Sequence, residues 1–261
     1  MRYIADHDFH IHSTISPCCH DEGQTPENIL RFAEENGYRR IALTNHLWDE
    51  AVHSEAQWHE MQRFSVLQSV LPLPQGKDTQ FFFSAEVDMD YDFNIGVSEE
   101  HYDAFDFLVI STTHLHLAGN TVRKKLETPE EAAEIWVSRL EAVLKKDLPW
   151  HKVGIAHMTS GHIMKERTPE VIDLIPDEKL YEIFTDCASK GLGIELNTKT
   201  IFSSDEEKHK LLRPYYIAKD CGCKFYLGSD SHKLSALQVG KENFERIITH
   251  LDLTENHKFT F

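Results

Sequence analysis

The chain has 261 residues, 41% of them hydrophobic and 27% charged, with 43 acidic side chains against 27 basic ones and a formal net charge of −16. That length and apolar share suit a single packed α/β domain over residues 1–261. The acidic surplus argues against a surface built for nucleic-acid backbone or anionic membranes, which needs clustered positive charge.

The five cysteines, Cys18, Cys19, Cys187, Cys221 and Cys223, are odd in number, with adjacent and C-x-C spacings. That is a poor disulfide framework. No apolar leader follows Met1, and no stretch approaches the roughly 20 apolar residues that span a bilayer. A reducing, cytoplasmic setting is the expectation.

Short apolar runs predict strands at 3–9, 40–44, 81–87, 106–111, 152–156, 193–197 and 224–228. Helical signals fall between most of them. Thr25-Pro26-Glu27 places a capping threonine before proline at the first helical position, with Gly37 as the stop. Ser54 to Gln57 reads as a capping box. Thr128-Pro129-Glu130-Glu131 supplies another, and Trp136, Leu140, Val143 and Leu144 then line one apolar face. Thr168-Pro169-Glu170 repeats the start signal, and Ser204 to Glu207 reads as a further capping box. Residues 233–250 form a last amphipathic helix, followed by a tail over 251–261 of no assigned structure. Alternating strands and crossover helices imply a largely parallel sheet, wound into a barrel or an open doubly wound sheet.

Nine potential metal ligands each follow one of these runs or the loop after it. They are His10 and His12 in DFHIHS, His20 in CCHDEG, His46 in ALTNH, Glu86 in FFFSAEVD, His114 in VISTTH, His157 in GIAHM, and Asp230 and His232 in GSDSH. Random placement would scatter histidine over helices and both strand ends, whereas six of the seven predicted strands end in a candidate ligand. Carboxyl ends of parallel strands converge on one rim, and imidazole with carboxylate suits Zn, Mn or Fe. Nine donors exceed the needs of one ion, so the pattern predicts a multinuclear centre. Cys18 and Cys19, beside His20, allow a thiolate ligand, against their commoner reading as partly buried free thiols.

In order and spacing these motifs resemble those of the polymerase and histidinol phosphatase (PHP) superfamily, from Asp8 to His232. CCHDEG before a Thr-Pro-capped helix is most similar to the histidinol-phosphatase branch. The resemblance implies a distorted (β/α)7 barrel, TIM-barrel-like, with three divalent ions (Zn, Mn or Fe) on its carboxyl-end rim. It implies one ion held by His10, His12, Glu86 and Asp230, and another by His20 and His46, shared with His232. A third, bridged by Glu86, would be held by His114 and His157. It also implies supporting positions near the site for Glu195 and Asn197, while Asp8 reads as a residue orienting an imidazole. One departure is Asn45, where the family usually has aspartate; the lost charge is expected to alter the support of His46.

Three divalent ions facing Glu86, Asp230 and a bridging hydroxide would leave the pocket at about +3, despite the acidic chain. A phosphate dianion suits such a spot, so the expectation is hydrolysis of a small phosphate monoester, histidinol phosphate or a similar metabolite of histidine biosynthesis, by a metal-bridging hydroxide. Arg123, Lys165, Arg167 and Lys199 are the candidate phosphate donors. His116, Asp21 or Asp230 could supply the proton to the leaving alkoxide. The alternatives are a phosphodiesterase or exonuclease acting on nucleotides or short oligonucleotides, and a non-catalytic metal-binding module. No nucleic-acid or membrane partner is expected, and the oligomeric state is unreadable.

Overall fold

A computed structural model describes residues 1–54, 56–200 and 204–261, apart from the side chain of Gln57. Ser54 does not cap a helix as expected: its hydroxyl accepts from Ala56 N–H, and the short 3-10 turn Gln57–Gln62 starts after Ala56 with no side-chain cap. Eight parallel strands follow the order β1 (His7–Ile11), β2 (Arg40–Leu43), β4 (Gln80–Asp88), β5 (Phe107–Ser111), β6 (Val153–Ile155), β7 (Gly193–Asn197) and β8 (Lys224–Gly228), with the two-residue β3 (His46–Leu47) also on β4. β2 pairs with the first half of β4 and β3 with the second, His46 opposite Glu86. They are one stave broken at Thr44-Asn45, so eight strands make the seven staves expected. The ring closes where Asp230 N–H donates to His10 O (2.7 Å) and His12 N–H to Ser231 O (3.0 Å). The distorted (β/α)7 barrel is the observed architecture.

The first strand starts at His7 rather than residue 3, because the preceding residues are taken by the chain's end: Arg2 bridges Thr254, and Tyr3 N–H donates to Leu253 O (3.1 Å). Between Asp8 and Ile11 the register shifts. Strict alternation would put Phe9 and His10 on opposite faces. The irregularity instead lets Phe9 enter the barrel floor while His10 and His12 both reach the rim, which is how bulges re-aim side chains beside active sites.

That floor is aromatic. Phe9, Ala42, Phe107, Val109, Ala156 and Tyr226 meet Phe259 from the tail, with Phe82 and Phe261 packed against them. The tail left unassigned by the sequence thus plugs the barrel, tied on by Phe259 N–H to Phe225 O (2.8 Å). Gly154 is required there: a Cβ would lie 2.5 Å from the Tyr226 ring and 2.6 Å from that of Phe107.

Helices surround the staves. α1 (Pro26–Glu35) and α3 (Pro129–Leu144) begin as expected, with Thr25 and Thr128 accepting from Asn28 and Glu131 N–H. The reciprocal arm of the second box reaches one residue further back, Glu131 accepting from Glu127 N–H. α2 (Phe64–Gln68) is a single short turn. Thr168 is not a cap. It is the first residue of α4 (Thr168–Asp173), and its hydroxyl accepts from Met164 N–H and donates to Ser160 O. α5 (Asp177–Lys190) follows, then α6 (Asp205–Asp220) capped by Ser204, then α7 (Leu234–His250). Among the described residues no helix is long and apolar enough to cross a membrane.

At the amino end of β1, His7 is fully buried: Nδ1–H donates to Asp6 (3.1 Å) and Nε2 accepts from Leu227 N–H (3.1 Å). Burial lowers its pKa to about 4 against the Asp6 contact, which raises it. The unfolded chain therefore binds the extra proton first, and stability is lost as pH falls from about 6.5 toward 4. The unfolding free energy of the wild type, minus that of His7→Gln, should fall by about 2 kcal/mol between about pH 7.5 and pH 5. A difference that does not move with pH would contradict the buried neutral imidazole.

Candidate metal centre

Strand alternation carries Ser84, Glu86 and Asp88 of β4 to the inner face, while Phe83, Ala85 and Val87 pack outward. Glu86 thereby stands at the middle of the rim, fully buried. Five imidazoles face its carboxylate. Oε2 lies 3.4 Å from His10 Nε2, 3.3 Å from His12 Nε2 and 3.0 Å from His46 Nδ1. Oε1 lies 2.9 Å from His157 Nε2 and 3.6 Å from His114 Nε2. Asp230 closes the opposite side, 3.2 Å from His12 Nε2, and His232 stacks on His12 at 4.2 Å.

The outward nitrogens of these rings are anchored. His10 Nδ1–H donates to Glu195 (2.6 Å) and His114 Nδ1–H to Asp88 (2.9 Å); His157 Nδ1 pairs with Thr113 Oγ1 (2.6 Å) and His12 Nδ1 with Ser16 Oγ (3.1 Å). Fixing one nitrogen and aiming the other inward is how proteins orient metal-ligating histidines. Glu195 also accepts from His157 N–H and from Asn197 Nδ2, and Asp8 accepts from His10 and Ser229 N–H. Glu195 and Asn197 stand beside the site as anticipated, whereas Asp8 holds backbone N–H groups rather than orienting an imidazole. Asn45 acts elsewhere than expected: its Oδ1 accepts from Ser13 N–H and Ser16 Oγ, so it steadies His12 through Ser16.

Electrostatics make the cage a cation site. Burial would raise the Glu86 carboxyl, but His46, His10 and His114 outweigh it and hold Glu86 well below the usual carboxylate range. Burial depresses His46 to about 4 and His232 to about 3, keeping both imidazoles neutral, the form that ligates. At His10 burial opposes charge, yet Glu195, Glu86 and Asp230 prevail and raise its pKa. Burial, with Glu86 and Asp230, pushes the Cys18 thiol up. Glu86 Oε2 and His46 Nδ1 lie 3.0 Å apart, yet both are buried without a hydrogen bond, as is His162 Nε2. Unmet polar atoms in so dry a site demand a partner, and a cation between them is the fitting one. His157 and Asp230 also take positive φ, 27° and 50°, a strained backbone of roughly 1–3 kcal/mol each that clusters at functional sites.

Three donor groups have ligand atoms within 4.8 Å of one another: His10, His12 and Glu86; Glu86, His114 and His157; and His12, Cys18, His46 and His232. Seven of the nine predicted ligands fall in these groups, and Asp230 lies outside them but 3.2 Å from His12 Nε2. His20 is exposed and outside all three groups, and Cys18 stands where it was expected. Asp21 is spent on structure, accepting from Gly23 and Leu234 N–H.

Beside Asp230 opens a cleft of about 650 Å³, lined by His116, His162, Lys165 and Lys199 among others. Lys199 Nζ pairs with Asp230 Oδ2 (2.5 Å), and His162 Nε2 lies 3.6 Å from the same oxygen. His162, which the sequence reading missed, stacks on His116 at 5.2 Å. It sits in a loop turn past β6, where no periodicity marks it. Arg123 and Arg167 are not in the cleft: Arg123 pairs with Asp92 over the Tyr91 ring, and Arg167 pairs with Glu170.

Comparison with solved structures finds the same kind of barrel fold. The chain is similar to histidinol phosphate phosphatase (HisK) from Lactococcus lactis subsp. lactis Il1403, whose structure holds Zn, L-histidinol and phosphate, at a TM-score of 0.59 and 18% identity, covering 98% of this chain and 99% of that one. At that identity the likeness shows a shared fold. A second likeness, to the metal-dependent tyrosine phosphatases YwqE from Bacillus subtilis and CpsB from Streptococcus pneumoniae, has 15% identity over 98% of this chain and 96% of the other, at a TM-score of 0.39 too distant to argue from. No family model and no curated protein matches the sequence.

Gly228 faces Glu195 so closely that a Cβ would lie 1.8 Å from Oε1. Gly228→Ala must displace Glu195 and release His10. Zinc affinity, measured against a chromogenic chelator, should fall about 10–100-fold. Unchanged affinity in a folded variant would remove Glu195 from the support of the site.

Proposed function

We propose that the chain is a metal-dependent phosphoesterase whose substrate is a small phosphate monoester of the histidinol phosphate kind. The observation that carries this reading is the adjacency of the imidazole–carboxylate cage to a cleft walled by Lys165, Lys199, His116 and His162. In this reading three divalent ions are held by His10, His12, Glu86 and Asp230, by His114 and His157 with Glu86, and by His46 and His232. Bound there, the ions would polarise phosphoryl oxygens and acidify water to a nucleophile near neutral pH.

The chain's own side chains do the rest. Glu86 and Asp230 would balance only part of the cation charge, so the remaining excess would still draw a dianion. Lys199 reaches from Asp230 to the cleft, and Lys165 stands on the same wall, so both can receive phosphate oxygens as point charges. The His116–His162 stack lines the same cleft, and His116 is the proton donor to the leaving alkoxide in this account. The leaving-group moiety would lie against Thr159, Pro169 and Leu211, which also line the cleft. The soluble metabolite chemistry and acidic surface fit a cytoplasmic setting.

Metal-loaded protein should release phosphate from p-nitrophenyl phosphate and histidinol phosphate much faster than it cleaves bis-p-nitrophenyl phosphate, and chelation should abolish all three. Faster diester cleavage would move the substrate class to phosphodiesters, and no turnover of any would overturn the enzymatic reading. Lys199→Ala, losing a charged contact of about 1.5–3 kcal/mol, should lower kcat/KM roughly 10–100-fold, chiefly through KM. Arg123→Ala and Arg167→Ala should leave it within about twofold. The reverse ranking would return phosphate binding to the arginines.

A further inference from the structure

We infer that Cys18 is a thiolate ligand of the ion held by His46 and His232, taking the place that the motif pattern gives to His20. The inference rests on the metal-centre reading above and assigns one subsite a softer, zinc-type donor set.

The loop from β1 to α1 fixes the cysteine. Ser16 N–H donates to Ser13 O and Cys19 N–H to Ser16 O, both at 2.9 Å, winding the segment into consecutive turns. Asn45 holds Ser13 and Ser16 from the break between β2 and β3. Gln24 Nε2 donates to His12 O (3.0 Å) and Ser231 O (3.2 Å), sewing the far end of the loop to β1 and to the segment after β8. These ties bring Cys18 Sγ to 2.9 Å from His232 Nε2, and within 4.8 Å of donor atoms of His12 and His46. The neighbours in sequence go elsewhere. Cys19 Sγ donates to the His232 carbonyl (3.2 Å), and His20 is exposed.

The cluster has no good internal solution without a cation. A thiol carries one proton and can serve one acceptor; Cys18 spends it on His232, while the buried His46 Nδ1 has no hydrogen-bond partner. His12 belongs to two donor groups, but its Nδ1 is held by Ser16, leaving one nitrogen for one ion. If His12 serves the ion beside His10, the remaining subsite has His46 and His232, and Cys18 is the donor that raises it to three. Three protein donors with an open fourth position are the pattern of catalytic zinc. A thiolate among imidazoles biases the subsite toward zinc or iron over manganese or magnesium.

Cobalt(II) reports the ligand directly, because a thiolate on cobalt adds a near-ultraviolet charge-transfer band that nitrogen and oxygen ligands do not. Cobalt-loaded wild-type protein should show that band beside its visible d–d absorption. Cys18→Ser should lose the band and keep the d–d absorption of the other sites, while Cys19→Ser and His20→Ala should keep both. In wild-type protein, zinc should slow iodoacetamide alkylation of Cys18 at least tenfold, read by peptide mass spectrometry, and leave half-buried Cys221 unaffected. This second measurement stands even where a variant fails to fold. Bound cobalt without the band, a band that survives Cys18→Ser, or a cysteine that zinc does not protect would overturn the thiolate ligand alone. Protein that binds neither cobalt nor zinc would overturn the metal centre with it.

Discussion

The arrangement depends on one buried carboxylate facing several imidazoles at once. Glu86 has no solvent to share its charge, and Oε2 has no hydrogen bond from the rings at 3.0–3.4 Å. Isolated, such a carboxylate would be strongly destabilised. Of the rings around it, His10, His12, His114 and His157 commit their far nitrogens to a carboxylate or hydroxyl and turn the near ones toward the same small volume. Divalent cations would satisfy both the anion and the lone pairs, and among the described residues no protein group hydrogen-bonds Glu86 Oε2 or His46 Nδ1.

The barrel explains how so costly a cluster is sustained. Below the rim, aromatic side chains from four staves and the tail pack the interior solidly, with Gly154 admitting the Tyr226 and Phe107 rings. That floor gives the polar rim a rigid support. The irregular register in β1 supplies both a floor residue, Phe9, and a rim ligand, His10, from adjacent positions. The ring closure through Asp230 and Ser231 then pins the last ligands to the first. Stability invested in the lower barrel offsets the strain and burial concentrated at its mouth.

Much of this was legible in the sequence because it is local. Strand-end histidines, apolar runs and Thr-Pro starts are short-range signals, and they brought seven staves and eight of the nine candidate ligands to one rim. What escaped was set by contacts remote along the chain. The tail carries no assigned structure in the sequence, yet Phe259 and Phe261 reach the floor through pairing with β8. His162 lies in a turn with no periodicity, and becomes visible only when its loop folds over His116 and Asp230. Cys18 and His20 differ by two residues in a loop of successive turns, where spacing says nothing about direction. Arg123 and Arg167 follow the right strands, but acidic neighbours Asp92 and Glu170 hold them outside the cleft.

Anomalous diffraction from crystals of zinc-loaded protein, collected at the zinc edge, tests the central claim most directly. The account predicts anomalous peaks on both sides of the Glu86 carboxylate, one toward His10 and His12 and one toward His114 and His157. A rim without anomalous density, or zinc found only on surface histidines, would contradict it.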